Sequence, residues 1–261
     1  MIENAQLRRT SETAETPRWP PPRRAAAAPD QHLIGLVSPS SFDSEPYRIL
    51  QSILEARRAT QPSLVIAVTS AAPGDGKTTT SINLAAMLAR LPDSRVLLLD
   101  ADLRRPAVLK RLGLGGQAGP DLAQALRHPE LVATGGLATW PDLPLSVLAS
   151  SGPDALPSES LHSPAFGGLI QRARQAYRYV IADTAPVVAL PDARALAGLV
   201  DGFLLVVRAG ATPRNLLAEA LEALEPDRVL GLIFNGDERP YAGYYGRYRS
   251  YYQAAKQAQR G

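Results

Sequence analysis

Apolar residues in this chain form short continuous runs separated by longer stretches in which they recur at helical spacing. The continuous runs predict strands at 64–68, 96–99, 145–148, 179–182, 203–207 and 229–234. The longer stretches predict helices at 76–91, 164–177, 191–199 and 213–224. Continuous apolar strands separated by helices indicate an α/β fold, in which a mainly parallel sheet carries helices on both faces. Functional residues are then expected where the strands end.

Composition divides the chain into four parts. Residues 1–31 mix Glu, Thr, Arg and Pro with a run of alanines and show no periodicity, which predicts a disordered leader. Residues 32–61 are expected to form a linker and an amphipathic helix capped by Ser44. Residues 62–237 form the predicted α/β domain, and residues 238–261 are expected to be a flexible tail rich in tyrosine.

Composition also excludes several kinds of chemistry. The 261 residues include no cysteine, which rules out disulfide scaffolds, thiol catalysis and cysteine-ligated metal centres, and fits a reducing cytoplasm. The longest unbroken apolar run has six residues, far short of the ~18 to 20 that a spanning helix needs. The N-terminus lacks the apolar core of a secretory signal. We therefore expect a cytoplasmic chain without a transmembrane segment.

The formal net charge of +3 is concentrated at the C-terminus. Lys and Arg total 28 against 25 Asp and Glu, but residues 239–261 hold five bases and no acid. The remainder carries 23 bases against 25 acids, so a polyanion-binding surface over the whole protein is not indicated and no nucleic-acid partner is expected. The same segment contains six of the nine tyrosines, at Tyr241, Tyr244, Tyr245, Tyr248, Tyr251 and Tyr252.

A glycine-rich loop follows the first predicted strand and precedes a predicted helix. It reads Ala71, Ala72, Pro73, Gly74, Asp75, Gly76, Lys77, Thr78, Thr79. Small residues allow successive backbone N–H groups to face a phosphate chain, and the helix N-terminus adds positive potential. Lys77 would then reach the β- and γ-phosphates, and the Thr78 hydroxyl would ligate Mg²⁺. The pattern is typical of a P-loop; a chance glycine turn before a helix is the alternative.

Polar residues follow three further predicted strands. Asp100 and Asp102 come after the second strand, where carboxylates could hold Mg²⁺ through water or accept a proton from an attacking hydroxyl. Asp183 lies where P-loop proteins place a Mg²⁺-coordinating acid. Asn235 lies where an amide could read an adenine edge. Capping or turn-forming roles are the alternatives for the three acids.

Together these features resemble the bacterial tyrosine kinases, or BY-kinases, of capsule and exopolysaccharide synthesis. The resemblance runs from about residue 39 to the C-terminus, and it rests on the segments 45–48, 70–80, 96–106, 151–153 and 157–161, on Asp183 and on the tyrosine tail. Any P-loop alone would be unspecific, whereas this set together is quite specific.

The resemblance implies ATP and Mg²⁺ as cofactors and transfer of phosphate to the tail tyrosines of a neighbouring subunit. Lys77 and Thr78 would bind the phosphates. Mg²⁺ would be held by Thr78, Asp100 and Asp183, and Lys77, Asp100 and Asp102 would act in catalysis, with the division between the two acids left open.

The resemblance also implies partners. A homo-oligomer, a ring in the family, would use Glu45 and Arg48, although Gln51 replaces a second arginine and weakens one intersubunit ion pair. A separate membrane-embedded chain-length regulator would activate the kinase and recruit it to the inner face of the plasma membrane. A cognate tyrosine phosphatase would reset the tail.

Two other classes of protein remain possible at this stage. A positioning ATPase of the MinD or ParA type has the same fold, but its signature lysine is absent because Ala72 stands there. The clustered tyrosines would also suit a non-catalytic ATP-binding scaffold of an export complex. The substitutions Ala71 for the first glycine and Ala185 for a typical proline are the other departures from the BY-kinase pattern.

Overall fold

The computed structural model describes residues 29–114, 119–134, 137–153 and 155–236. These residues form an α/β fold. Its strands are β1 (Leu64–Ser70), β2 (Val96–Asp100), β3 (Ala138–Thr139), β4 (Leu145–Leu148), β5 (Tyr179–Asp183), β6 (Gly202–Arg208) and β7 (Val229–Asn235). Its helices are α1 (Ile34–Val37), α2 (Glu45–Arg58), α3 (Lys77–Leu88), α4 (Val108–Arg111), α5 (Leu122–Arg127), α6 (Pro164–Ala176), α7 (Asp192–Ala195) and α8 (Arg214–Ala223).

The seven strands form a single sheet in the order β3-β4-β2-β5-β1-β6-β7. All pairs are parallel except the one between β3 and β4. Every residue of β1, β2 and β5 is buried, which explains why these strands appear in the sequence as continuous apolar runs. The predicted mainly parallel sheet is therefore confirmed.

Helices cover both faces of the sheet, as predicted. One apolar core joins one face to α5, α6, α7 and α8, and includes Phe166 and Phe203. The second core joins the opposite face to α1, α2, α3 and α4, and includes Leu54 and Tyr179. Arg58 of α2 lies 5.9 Å from the centroid of the Tyr179 ring and donates a hydrogen bond to its hydroxyl, which anchors α2 to the sheet.

Two local predictions were wrong. The helix predicted over 191–199 is limited to α7, because the residues that follow form turns closed by i→i−3 hydrogen bonds, such as the one from Leu199 to Leu196. Ser44 precedes α2 but does not cap it. Its hydroxyl donates instead to the carbonyl of Ser38, and its backbone is already helical.

The leader and the tail fall largely outside the described residues, including all six tail tyrosines. Within the described part of the leader, the carboxylate of Asp30 accepts a hydrogen bond from Arg111. Among the helices of the described ranges, none combines the length and apolar character needed to cross a bilayer.

Candidate active site

The sheet order brings three strand ends together. β5 lies between β1 and β2, and the register aligns Asp183 with Val68 on one side and Asp100 on the other. The loop after β1, the acids after β2 and the acid that ends β5 therefore meet at one edge of the sheet, as expected for parallel strands. Both Asp100 and Asp183 are fully buried there.

The loop between β1 and α3 has the backbone of a phosphate-binding loop. Gly74 and Gly76 have φ angles of 90° and 100°, which a side chain disfavours. A Cβ atom at Gly76 would also collide with the side chain of Asn235. Helix α3 begins at Lys77, one residue later than predicted. The loop therefore leads directly into a helix N-terminus, whose positive potential favours phosphate.

Lys77 faces Asp102 across the site. Its Nζ atom lies 3.0 Å from Oδ2 of Asp102, and only 16% and 6% of the two side chains are exposed. The other oxygen of Asp102 accepts a hydrogen bond from the backbone N–H of Arg105, which fixes the carboxylate. The structure thus places the predicted phosphate-binding lysine beside a predicted catalytic acid.

Asp183 has one oxygen available for a further ligand. Oδ1 accepts a hydrogen bond from the Ser81 hydroxyl at 3.0 Å, which that hydroxyl shares with the carbonyl of Lys77 at 2.9 Å. The buried Oδ2 has no hydrogen-bond partner among the described residues. Burial raises the pKa of Asp183, and the charge of Lys77 and the hydroxyls of Thr78 and Ser81 oppose that rise. A buried carboxylate oxygen near the Thr78 hydroxyl suits Mg²⁺, which prefers oxygen ligands.

Asp100 is directed into the backbone of its own loop. Oδ2 accepts hydrogen bonds from the backbone N–H groups of Ala107 and Val108 at 2.8 and 3.0 Å. Oδ1 accepts a hydrogen bond from the backbone N–H of Asp102 at 3.2 Å. Burial, and then the charge of Asp183, raise the pKa of Asp100 to about 8. Within the described ranges, no three acidic or histidine side chains are arranged to hold a metal by themselves.

The remaining predicted loop residues have different surroundings. Pro73 and Gly74 are exposed, whereas Asp75 is buried. The hydroxyl of Thr79 accepts a hydrogen bond from Arg111 at 3.1 Å. The amide of Asn235 donates to the backbone carbonyl of Asp75 at 2.9 Å, so Asn235 does lie beside the loop, and its contact with adenine remains a prediction.

The residues predicted for oligomer contacts are bonded within their own chain. Arg48 pairs with Glu45 at 2.7 Å and donates to the carbonyls of Pro39 and Ser41. Gln51 donates to the carbonyl of Met87 on α3 at 2.6 Å. These contacts join α2 to the preceding turn and to α3.

Three residues near this edge were missed in the sequence. Ser81 lies one helical turn beyond Lys77, a spacing that would have placed it on the same face of α3. Thr212 lies four residues after the end of β6. The expectation that functional residues follow the carboxyl ends of the strands would have included it. Asp192 accepts a hydrogen bond from Arg104, and no local pattern indicated that contact.

Comparison with known proteins defines the class of this domain. The family model of the CobQ/CobB/MinD/ParA nucleotide binding domain matches residues 66–240, a range that contains the P-loop, the three acids and Asn235. The chain is therefore a member of this class of P-loop nucleotide-binding domains.

Individual relatives narrow the class to one family. The chain is 34% identical over 220 residues to the tyrosine-protein kinase YwqD of Bacillus subtilis, covering 84% of this chain and 91% of YwqD. It is 31% identical over 189 residues to the tyrosine-protein kinase CpsD of Streptococcus agalactiae, covering 70% of this chain and 81% of CpsD. This chain belongs to the bacterial tyrosine-protein kinases.

Other relatives show how the domain is used elsewhere. The chain is 34% identical to the succinoglycan biosynthesis transport protein ExoP of Rhizobium meliloti, but it spans only 28% of that protein. The kinase domain of Escherichia coli tyrosine kinase ETK superposes with a TM-score of 0.67 at 26% identity, covering 80% of this chain and 82% of that one. The MinC:MinD cell division protein complex of Aquifex aeolicus superposes with a TM-score of 0.52 at 23% identity, and this similarity shows only that the fold is shared.

Proposed function

We propose that this chain is an ATP-dependent protein-tyrosine kinase that phosphorylates the tail tyrosines of a neighbouring copy. The observation that carries this proposal is the placement of Lys77, Asp102 and Asp183 around one P-loop, in a member of the tyrosine-protein kinase family. The predicted acceptors are Tyr241, Tyr244, Tyr245, Tyr248, Tyr251 and Tyr252.

In the proposed reaction, the phenolic oxygen of an acceptor tyrosine forms a bond to the γ-phosphorus of ATP. The bond from that phosphorus to the β,γ-bridging oxygen breaks, ADP leaves, and the phenolic proton passes to Asp102. A tyrosine hydroxyl has a pKa of about 10, so a nearby carboxylate assists its loss of a proton during transfer. Lys77 and the backbone N–H groups of the loop bind and orient the phosphates.

We assign different roles to the two acids that follow β2. Asp102 faces Lys77 and has one oxygen directed into the site, which suits a proton acceptor. Asp100 accepts three backbone hydrogen bonds and shapes the loop that carries Asp102. This division revises the expectation that Asp100 acts directly in catalysis and as a metal ligand.

Thr78 and Asp183 would hold Mg²⁺. Their oxygens match its preference, and Oδ2 of Asp183 has no other partner in the described part of the chain. When bound, the ion would neutralise charge on the phosphates. Ser81 keeps the Asp183 carboxylate in place by donating to its other oxygen.

The relatives support an assignment to capsule or exopolysaccharide synthesis, because ExoP is named as a succinoglycan biosynthesis transport protein. We propose a homo-oligomer, a separate membrane-embedded chain-length regulator as activator, and a cognate tyrosine phosphatase. Recruitment of the cytoplasmic chain to the inner face of the plasma membrane would then depend on the regulator.

An anti-phosphotyrosine blot of the purified chain with ATP and Mg²⁺ tests the proposed activity. A signal that requires both ATP and Lys77 is expected. A blank blot with ATP turnover would support a positioning ATPase of the MinD or ParA type, and a blank blot without turnover would support a scaffold. Because basal activity is expected to be weak, the blot is repeated with a membrane fraction from the source cells.

A further inference from the structure

The carboxylate of Asp75 is built into the P-loop. Only 3% of the residue is exposed. Its Oδ2 accepts a hydrogen bond from the backbone N–H of Ala72 at 2.9 Å, and its Oδ1 accepts one from the hydroxyl of Thr212 at 2.8 Å. An anionic side chain within a loop that binds anionic phosphates weakens binding by charge repulsion. The hydrogen bonds of Asp75 must therefore provide a compensating benefit to the loop.

The hydroxyl of Thr212 has a fixed direction. Its oxygen accepts a hydrogen bond from the backbone N–H of Arg208 at 2.9 Å. A threonine hydroxyl has a single proton, and here that proton is donated to Asp75. Arg208 ends β6 and pairs in register with Asn235 of β7. The loop is thus tied to the sheet by a series of hydrogen bonds in which every donor and acceptor is defined.

The loop needs such a restraint because glycines flank Asp75. Gly74 and Gly76 both adopt positive φ angles, and glycine has more backbone freedom to lose on ordering than any other residue. A loop that samples many conformations must be ordered when the phosphates bind, and that cost lowers affinity. Hydrogen bonds that hold the loop in one conformation beforehand reduce the cost.

We infer that Thr212 is a positioning residue that holds the P-loop ready for phosphates through the Asp75 carboxylate, an inference that rests on the proposed binding of ATP by this loop. We call the series Arg208, Thr212, Asp75 and Ala72 the loop strap. Its role differs from that of Asn235, which supports the same loop through the Asp75 carbonyl and is also a predicted adenine contact.

Valine and serine at position 212 separate the hydroxyl from the shape of the side chain. T212V keeps the shape and removes the hydroxyl, whereas T212S keeps the hydroxyl. We expect T212V to bind ADP·Mg²⁺ roughly tenfold more weakly, as for loss of a hydrogen bond to a charged group, and T212S to bind like wild type. Isothermal titration calorimetry measures both. The exposed Thr134 provides a matched control, T134V, with unchanged affinity.

Kinetics and a double variant test the mechanism further. In T212V the KM for ATP should rise by the same factor, about tenfold, as the affinity for ADP falls. The kcat should change by less than about twofold, because a preformed loop affects nucleotide binding and not the chemical step. In a D75N background, T212V should change ADP affinity by much less than it does in wild type, because D75N has already broken the same strap.

Two results would overturn the inference: ADP affinity unchanged in T212V, or serine failing to restore it. If the first result came with a lower Tm for T212V, Thr212 would have a structural role alone. Calorimetry with ADP does not depend on phosphotransfer. A wild-type chain that binds ADP but forms no phosphotyrosine, even with the membrane fraction, would refute the kinase, and weaker ADP binding by T212V would still support the strap.

Discussion

The ammonium group of Lys77 lies 3.0 Å from Oδ2 of Asp102, and both side chains are largely buried. A buried ion pair is costly to break on one side only, because the remaining charge loses its partner. On the proposed function, a bound phosphate chain would supply Lys77 with a new anion and would free the Asp102 carboxylate. In the proposed reaction, the contact that pairs Lys77 without nucleotide would therefore also hold a base ready for the acceptor tyrosine.

Replacing Asp102 with asparagine should separate nucleotide binding from phosphotransfer. Asparagine has a similar shape but neither competes for Lys77 as an anion nor accepts a proton at neutral pH. We expect D102N to bind ADP·Mg²⁺ at least as tightly as wild type. Phosphotyrosine formation should be slower by roughly 10²- to 10⁴-fold, the range typical of a lost general base.

Calorimetry with ADP and a quantitative phosphotyrosine time course measure the two effects of D102N. The exposed Asp142 gives a control of the same chemistry, D142N, in which both quantities should stay at the wild-type level. Equal loss of ADP binding and phosphotransfer in D102N would mean that Asp102 supports the loop and is not the proton acceptor.

Asp100 should make the stability of the free chain depend on pH in an unusual direction. Its pKa is raised from 3.8 to about 8, chiefly by burial and then by the charge of Asp183. Between these two pH values, Asp100 keeps its proton in the folded chain but has released it in the unfolded chain. Its stabilising contribution is complete below pH ~4 and is lost as the pH rises towards about 8.

Thermal unfolding of wild type and D100N, both with EDTA and without nucleotide, tests this direction. The variant cannot titrate at position 100, so the difference between the two Tm values removes the contributions of groups that do not interact with Asp100. Wild type should lose Tm relative to D100N between about pH 5 and pH 8. Parallel Tm curves would show that Asp100 ionises normally in the folded chain.

Ser81 should affect the requirement for Mg²⁺. S81A removes the hydroxyl that donates to Oδ1 of Asp183, so the carboxylate loses the contact that orients it. Loss of such a supporting contact commonly costs roughly 10- to 100-fold in metal affinity. We expect S81A to need more Mg²⁺ for half-maximal phosphorylation, with little change at saturating Mg²⁺.

A magnesium titration of the phosphorylation rate measures the effect of S81A. The buried hydroxyl of Ser94 has no hydrogen-bond partner in the described ranges, so S94A removes a buried hydroxyl that orients no carboxylate. An unchanged Mg²⁺ midpoint in S81A, or an equal shift in S94A, would contradict a role of Ser81 in orienting Asp183.

The sequence predicted the elements whose pattern is local. Strands buried on both faces appear as continuous apolar runs, and the acids that follow them were therefore assigned to the correct edge. The helix predicted over 191–199 is wrong in its second half because Ala193 and Leu196 recur at helical spacing, yet from Leu196 onward the chain forms turns. The spacing of apolar residues indicates which side chains are buried, but consecutive turns can bury side chains at the same spacing as a helix.

Contacts between distant parts of the chain carried no local signal. Ser81 and Asp183 are 102 residues apart, and Asp75 and Thr212 are 137 apart. Sequence patterns placed these residues near strand ends but could not show which pairs share a hydrogen bond. The division of roles between Asp100 and Asp102 likewise depends on the direction of each carboxylate, which only the fold determines.

The outer face of α2 should support self-association. Ile49 and Ile53 are 43% and 57% exposed, whereas Leu54 on the same helix is buried. We propose a second copy of the chain as the partner of this face. We expect the unphosphorylated chain with ADP·Mg²⁺ to form oligomers in light scattering, and I53D to be monomeric with wild-type Tm.

Arg48 provides the contrast to I53D. Its guanidinium is bonded to Glu45 and to two carbonyls of the preceding turn, so R48A should lower the Tm as well as any self-association. L232D, which places the same charge on an exposed leucine of β7, should leave the oligomer intact. Oligomers that persist in I53D, or a wild-type chain that scatters as a monomer, would show that this face of α2 does not join copies of the chain.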